Sequence, residues 1–285
     1  MRETAYAKVN LALHVRRRRP DGYHELETLF AFCEDGDELT LDEAAGSEPE
    51  LTVSGPFADA LAGAQDNLVL GAARIMVEAA GGVAWRPPPR WFMPRFVLDK
   101  RLPVAAGLGG GSADAAAAGR LLSRAFALFD GKELALVLAK LGADVPACIA
   151  SRTVLGRGTG ADLRSVSGQT VCGLPVLLVN PRVQLSTRMV FAAWEGMDRG
   201  PLPEGDALSI ALAGRNDLEA AAISLAPVVG EVLELLGREG ALLVRMSGSG
   251  ATCFALYEDE AGRDAAEARI RAACPNWWLL KTRLR

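Results

Sequence analysis

Residues 102–122 read LPVAAGLGGGSADAAAAGRLL. Four of the five residues from Gly107 to Gly111 are glycine, and glycine loses more backbone freedom on folding than any other residue. Such a cluster therefore needs a backbone geometry that other residues reach only with strain. The alanines that follow have the opposite tendency, because alanine is the best helix former. FVLDKRLP, just upstream, reads as a strand. The stretch predicts a strand, a tight glycine turn and a helix in direct succession.

A helix N-terminus presents unpartnered N–H groups and the positive end of the helix dipole. Glycines just before it let a phosphate approach without meeting a Cβ. Gly107, Leu108, Gly109, Gly110 and Gly111 form a candidate anion cradle, and Ser112 would cap the helix or bind phosphate through its hydroxyl. Asp114 suits the helix dipole but would repel a phosphate, so it is expected to turn outward or be offset by magnesium. The pattern is not GxxxxGK[ST], because Gly111 precedes Ser112, and it fits the GxGxxG spacing poorly. A plain strand-to-helix connection with close packing explains the same glycines. A second turn, MSGSGATCFAL at residues 246–256, again joins small residues and hydroxyls. Two such turns suggest closure over one polyanionic ligand.

A chain of 285 residues suffices for two modest domains. Its formal net charge of −4 argues against general attraction to nucleic acid, and the arginines at 16–19 are read as a solvated turn. The five cysteines form no CxxC and are expected to be free thiols in a reducing compartment. The N-terminal MRETAYAKVNLAL is too polar for a signal peptide and no apolar run is long enough to span a membrane, so a cytoplasmic protein is expected. Alternation predicts strands over residues 4–15, YHELETLFAF, GDELTLDE and PELTVSG, and NLVLGAARIMVEAAG has helical spacing. WRPPPRW reads as a loop because its prolines lack backbone donors. GKELALVLAKLGADVPACIA predicts a helix and a turn at 142–146, and residues 162–173 are polar and weakly patterned. Strands follow at LPVLLVNP, ALLVRMSG, ATCFALYE and WWLLKTRLR, with helices in LEAAAISLAPVVGEVLELLGREG and EDEAGRDAAEARIRAA. This order fits an α+β chain of two layered domains, divided near residue 160 into 1–160 and 161–285.

Lys8 interrupts the apolar AYAKVNLAL, where a lysine is costly unless paired. Asp144 sits among apolar residues in LGADVPACIA, with Pro146 fixing the turn. As a pair, the ammonium would keep the aspartate ionised as an acceptor for a hydroxyl proton; a structural ion pair explains them equally well. Asn10 shares a strand face with Lys8 and could bind substrate or hold a loop. Tyr23 and His24 follow a Pro-Asp-Gly turn, where a ring could stack on a flat group and an imidazole could read its polar edge. Covering a strand edge is the plainer role for that pair.

Taken together, the motifs resemble the GHMP kinases, the superfamily of galactokinase, homoserine kinase, mevalonate kinase and phosphomevalonate kinase. PVAAGLGGGSADAA, residues 103–116, matches their glycine-rich motif. AKVNLAL, RPDGYHELETLF, DNL, LGADVP and RMSGSGATCFAL point to the branch that acts on a cytidyl diphosphate substrate. The resemblance implies a two-domain α+β fold, with an N-terminal ribosomal-protein-S5-like ATP-binding domain and a C-terminal ferredoxin-like α/β domain. It implies ATP with Mg2+, Asp144 as catalytic base and Lys8 as its partner. Pro103, Gly107, Leu108, Gly109, Gly110, Gly111, Ser112 and Ala113 would line the ATP phosphates, with Asn67 on the nucleotide side. Asn10, Tyr23, His24, Thr187, Phe191, Gly248 and Gly250 would face the substrate, with Tyr23, His24 and Phe191 around cytosine.

The expected partner is the small cytidyl diphosphate substrate, with no nucleic acid, no membrane, and a monomer or homodimer state; the resemblance assigns no metal ligands. Three departures stand out: Ala113 where the family often has a second serine, the proline-rich residues 85–95, and the surroundings of Gln184 and Leu185. A homoserine- or mevalonate-type kinase would not need the aromatic part of DGYHE. An ATP sensor without transfer would not need a lysine and a carboxylate in apolar surroundings.

Overall fold

Two long strands open the chain, β1 (Arg2–Arg18) and β2 (His24–Ala45), in a computed structural model that describes residues 1–45, 48–62, 67–81 and 92–285. YHELETLFAF and GDELTLDE, expected as separate strands, are one strand. Gly36 lies within it, and a Cβ there would overlap the Ala5 carbonyl, so the absent side chain lets the two backbones approach. The chain groups into two compact units. The first holds Met1–Ala7, Asp35–Val104 and Gly109–Ser151; the second holds Lys8–Glu34, Ala105–Leu108 and Arg152–Arg285. β1 and β2 each give one segment to either unit, so these units follow packing, whereas a division near residue 160 follows the chain.

In the first unit come β3 (Glu50–Ser54), α1 (Leu68–Gly81), β4 (Phe92–Asp99), α2 (Gly110–Phe126), α3 (Gly131–Leu138) and α4 (Val145–Ala150). β3 lies parallel to β4, in register from Glu50↔Arg95 to Ser54↔Asp99. β4 runs antiparallel to β2, with Glu38 opposite Asp99. Of the proline-rich stretch, residues 92–95 begin β4 and residues 85–91 lie outside the described residues. Along α2 the buried side is built from Ala113, Ala115, Ala116, Ala117, Ala118 and Gly119, small residues that let α1, α3 and α4 pack closely. The expected turn at 142–146 continues into α4, whose second residue is Pro146, where proline is tolerated. Arg120 donates to Glu3 Oε1 at 2.7 Å, the Thr4 carbonyl at 3.0 Å and the Cys148 carbonyl at 2.7 Å. One guanidinium thus joins α2 to β1 and to the negative end of α4.

The second unit continues with β5 (Val154–Gly158), β6 (Asp162–Ser165), β7 (Pro175–Asn180), α5 (Thr187–Ala193), α6 (Ala207–Ala213), α7 (Glu219–Leu225), α8 (Val228–Gly237), β8 (Leu243–Met246), β9 (Cys253–Leu256), α9 (Glu260–Ala273) and β10 (Trp278–Arg283). β6 forms in the stretch read as unpatterned, because an exposed edge strand paired only to β5 needs no apolar alternation. The sheet β10-β7-β9-β8 is antiparallel throughout. α8 and α9 pack on it, enclosing Leu177, Val179, Val232, Leu236, Ala255 and Ile270. Pro227 separates α7 from α8 in the run expected to be helical. The arginine run extends β1 rather than forming a turn, and Arg16, Arg17 and Arg19 meet Asp198, Glu25 and Asp21.

Gly36 offers a direct check on this packing. Gly36→Ala must displace backbone rather than a flexible side chain, and it is expected to destabilise the protein by about 3 kcal/mol. An unchanged urea midpoint would remove the claim of close approach.

Candidate active site

α2 begins without a side-chain cap. Gly109 stands at its N-cap with φ +62°, a left-handed conformation that suits glycine. Ser112 is therefore the third helical residue and not the cap, contrary to one expectation for it. The Ala113 N–H donates to the Gly109 carbonyl at 2.9 Å, which leaves the amides of Gly110, Gly111 and Ser112 without intrahelical acceptors. Gly111 is exposed, and Gly110 and Ser112 are half-buried. The Ser112 hydroxyl faces the turn that carries Asp144, since a Cβ on Gly142 would stand 3.9 Å from Ser112 Oγ. Asp144 is the N-cap residue of α4, but its carboxylate does not cap that helix. Asn67 Oδ1 accepts from the Val69 N–H at 2.9 Å and so caps α1. It also lines a pocket with Leu51, Val53, Ala58, Leu61 and Leu70. Pro103 is buried.

Asp114 corrects the reading that turned it outward or balanced it with magnesium. It is 3% exposed, and its Oδ2 accepts from Lys100 Nζ at 2.7 Å. The same ammonium donates to Asp37 Oδ2 at 2.6 Å. Asp37 Oδ1 accepts the N–H groups of Arg101 and Leu102 at 2.6 and 2.8 Å. Burial pulls the Lys100 ammonium toward neutrality, but Asp114 and Asp37 more than offset this and hold it protonated. Burial pushes the Asp114 carboxyl up to about 7, with Lys100 opposing and Asp37 reinforcing the shift. Asp114 Oδ1 is buried without a hydrogen-bond partner. Sequence reasoning missed Lys100 and Asp37, because Lys100 lies in the charged triplet Asp99-Lys100-Arg101, which reads as a solvated strand end and not as a buried lysine.

In the second unit, Lys8 is 4% exposed. Its Nζ donates to Asn10 Oδ1 at 2.9 Å and lies 4.8 Å from the centre of the Phe30 ring. Asn10 Nδ2 donates in turn to Thr28 Oγ1 at 2.8 Å, and Thr28 Oγ1 to the Ala12 carbonyl at 2.8 Å. This chain of donors fixes the Asn10 amide with its oxygen toward the ammonium. The shared face expected for Lys8 and Asn10 is present.

Part of the first glycine turn meets the second turn inside this unit. The Leu108 carbonyl accepts from the Lys8 N–H at 3.0 Å, and the Ala106 carbonyl from the Thr252 N–H at 3.2 Å. Ser247 Oγ donates to the Gly107 carbonyl at 2.9 Å and accepts from the Asn10 N–H at 3.2 Å. Gly107 has φ +77°, and a Cβ there would overlap the Ser247 carbonyl oxygen. Asn216 Nδ2 donates to the carbonyls of Met246 and Gly248, each at 2.8 Å. The Gly250 N–H is taken by the Ser247 carbonyl at 3.0 Å.

His24 lies against Phe191, with ring centres 4.8 Å apart, and against the edge of Trp194 at 5.8 Å. Its Nε2 is buried without a hydrogen-bond partner, and burial followed by the Arg18 charge lowers its basicity. Trp194, unanticipated from the sequence, takes a place in the aromatic group, whereas Tyr23 is 64% exposed on the turn. Thr187 Oγ1 and Ser249 Oγ share a hydrogen bond at 2.9 Å, which links α5 to the second glycine turn. Leu185 packs into the core. Among the described residues, no helix is long and apolar enough to cross a membrane and no cluster of three or more acidic, histidine or cysteine side chains could hold a metal.

Comparison with known proteins gives concordant results. Residues 67–152 match the GHMP kinases N terminal domain and residues 202–276 the GHMP kinases C terminal family. The 4-diphosphocytidyl-2-C-methyl-D-erythritol kinase of Rhizorhabdus wittichii is 56% identical, over 99% of this chain and 94% of its own length. The protein of the same name from Sphingopyxis alaskensis is 50% identical over 100% and 99%. A crystal structure of 4-(cytidine 5'-diphospho)-2C-methyl-D-erythritol kinase superposes with a TM-score of 0.81 at 34% identity, covering 100% of this chain and 99% of that one. The mevalonate kinase of Methanococcus jannaschii shares the fold at TM-score 0.71 and 11% identity, over 100% and 98%.

The raised Asp114 carboxyl gives a pH test. Between the ordinary carboxyl value and about 7, the folded protein keeps a proton that the unfolded chain has released. Stability therefore falls as pH rises through this window, by up to about 1.4 kcal/mol per pH unit. An asparagine at 114 does not titrate, so Asp114→Asn is expected to gain stability relative to the unaltered protein between about pH 5 and about pH 7. Urea unfolding of both proteins at the two pH values measures this; a constant difference would contradict the shift.

Proposed function

The chain belongs to the 4-diphosphocytidyl-2-C-methyl-D-erythritol kinases of the GHMP superfamily, and from that premise we propose how its residues carry the reaction. The enzyme transfers the γ-phosphate of ATP to the 2-hydroxyl of 4-diphosphocytidyl-2-C-methyl-D-erythritol, in the non-mevalonate route to isoprenoid precursors. The new bond joins the acceptor oxygen to the γ-phosphorus, the bond to the β-phosphate oxygen breaks, and ADP leaves. Asp144 takes the acceptor proton, and Lys8 stabilises negative charge near that oxygen. The N–H groups of Gly110, Gly111 and Ser112 stabilise the transferring phosphoryl group.

The observation that carries the choice of acceptor is His24. A buried, unpartnered imidazole nitrogen beside two aromatic rings suits a flat base with a polar edge, such as cytosine. Homoserine and mevalonate offer no such group. Asn10 orients Lys8, and Thr187, Gly248 and Gly250 belong to the same substrate-side reading. Asn67, with the pocket it lines, is assigned to the nucleotide side.

Magnesium enters this reading bound to ATP. Mg2+ commonly keeps several waters and takes its other ligands from phosphates and one or two protein groups, so an all-protein cage is not required. The half-buried Ser112 hydroxyl is the group suited to hold it, and the ion supplies charge neutralisation on the phosphates. The division near residue 160 into ATP-binding and C-terminal domains, and a cytoplasmic location, belong to the same proposal.

ADP release by the purified protein with Mg2+ and ATP, measured against the cytidyl substrate, homoserine and mevalonate, tests the assignment. Phosphorylation of the cytidyl substrate alone, confirmed by product mass, is expected; transfer to another alcohol instead would overturn the acceptor. Asp144→Asn is expected to bind both substrates by calorimetry while turnover falls by about 10²–10⁴-fold. His24→Ala is expected to raise KM for the cytidyl substrate about tenfold, the equivalent of one lost hydrogen bond, with KM for ATP unchanged. Equal changes in both KM values would move His24 out of the acceptor site.

A further inference from the structure

Lys100, Asp37 and Asp114 are buried titratable groups that the reaction above does not use. Their bonds have a particular distribution along the chain. Asp37 Oδ1 holds the N–H groups of Arg101 and Leu102, immediately before the glycine loop. Lys100 Nζ joins Asp37 Oδ2 to Asp114 Oδ2, and Asp114 lies in the first turns of α2, immediately after the loop. One ammonium therefore fixes both ends of the same segment. Between those ends the backbone takes positive φ at Ala105 (+53°), Gly107 (+77°) and Gly109 (+62°). Such conformations persist only where the surroundings over-determine them, most of all at an alanine. The ammonium also packs against the loop itself, since a Cβ on Gly110 would stand 3.0 Å from Lys100 Nζ.

We propose that Lys100, Asp37 and Asp114 form a positioning clamp that holds the glycine loop in the conformation its amides need to receive the ATP phosphates. The proposal rests on the reading that this loop binds those phosphates. An ion pair serving stability alone could join any two elements. This one joins the two residues between which the loop is strung, and Asp37 adds two backbone N–H bonds, from Arg101 and Leu102, directly after the first of them.

Steady-state kinetics of the full-length enzyme separate the two roles. Asp114→Ala removes the acceptor at the helix end, so KM for ATP is expected to rise about ten- to a hundredfold, as when binding groups are displaced by about an ångström. KM for the cytidyl substrate is expected to stay within about twofold. Asp114→Asn keeps an oxygen that accepts from Lys100 and is expected to restore most of the ATP affinity. If Asp114→Ala does not fold, Asp114→Ser, whose hydroxyl is too short to reach Lys100, is measured in its place. A loss of thermal stability with KM for ATP within about twofold would overturn the clamp, as would equal rises in both KM values. Gly111→Val, on the exposed side of the loop, separates the clamp from the premise. If it raises KM for ATP while Asp114→Ala does not, the loop keeps its ligand and the clamp fails. If neither changes KM for ATP, the phosphate reading fails and takes the clamp with it.

Discussion

Moving an ammonium out of water costs several kcal/mol unless good geometry returns the loss, so a buried lysine constrains everything around it. Lys100 meets that condition through elements brought together from far apart in the chain. Asp37 comes from the middle of β2, Asp114 from the start of α2, and the lysine itself follows the end of β4. Its backbone N–H donates to the Ser54 carbonyl at 2.7 Å, which adds β3. Four elements of the first unit thus converge on one residue. Register errors in β2 or β4 would separate the charges, and an unpaired charge in this position is far costlier than a lost hydrogen bond. The pairing therefore selects one arrangement of the sheet and the helix, and the glycine loop lies between two of the points so fixed.

The second unit holds its loops largely with uncharged groups. Asn10 accepts from Lys8 and donates to Thr28, and Asn216 donates to two carbonyls of the second glycine turn while accepting from the Leu218 N–H. An amide can do this because it carries donors and acceptors on one planar group. Arg245 is a charged group with a different task. Its guanidinium donates to the carbonyls of Leu11, Ala211 and Gly214, a job for a group with five donors and no acceptor. Burial lowers its pKa, with Glu219 opposing, and guanidinium is basic enough to stay charged regardless.

Much of this architecture is legible in local sequence patterning. Glycine followed by alanine announced the loop and α2, and the lysine within an apolar strand announced a polar group held inside the fold. The failures have physical causes. The acidic residues around Gly36 look like a turn that would divide β2, while the missing Cβ there serves a close approach between strands. Local sequence turns Asp114 outward because its countercharge, Lys100, is fourteen residues away in sequence and adjacent only after folding. Trp194 could not be told from an ordinary core residue, since its contact with His24 spans most of the chain. Tyr23 and His24 are neighbours in sequence, yet the strand begins between them, leaving the tyrosine exposed on the turn and the histidine among rings.

Ala113 is explained by the same geometry. Its side chain is 1% exposed and its N–H is already bonded to the Gly109 carbonyl. A serine at this position would direct its hydroxyl into the packed side of α2, where it would need a buried partner. The alanine therefore removes a polar group from the packing while leaving the three free amides of the turn intact. Burial divides the start of α2 into two sides. Ala113 and Asp114 face the interior, with the carboxylate paired to Lys100, and the open side is formed by Gly111 with parts of Gly110 and Ser112. An anion arriving on the open side meets N–H groups, a hydroxyl and the positive end of the helix. The one acidic side chain close in sequence is already neutralised by a cation from the strand end.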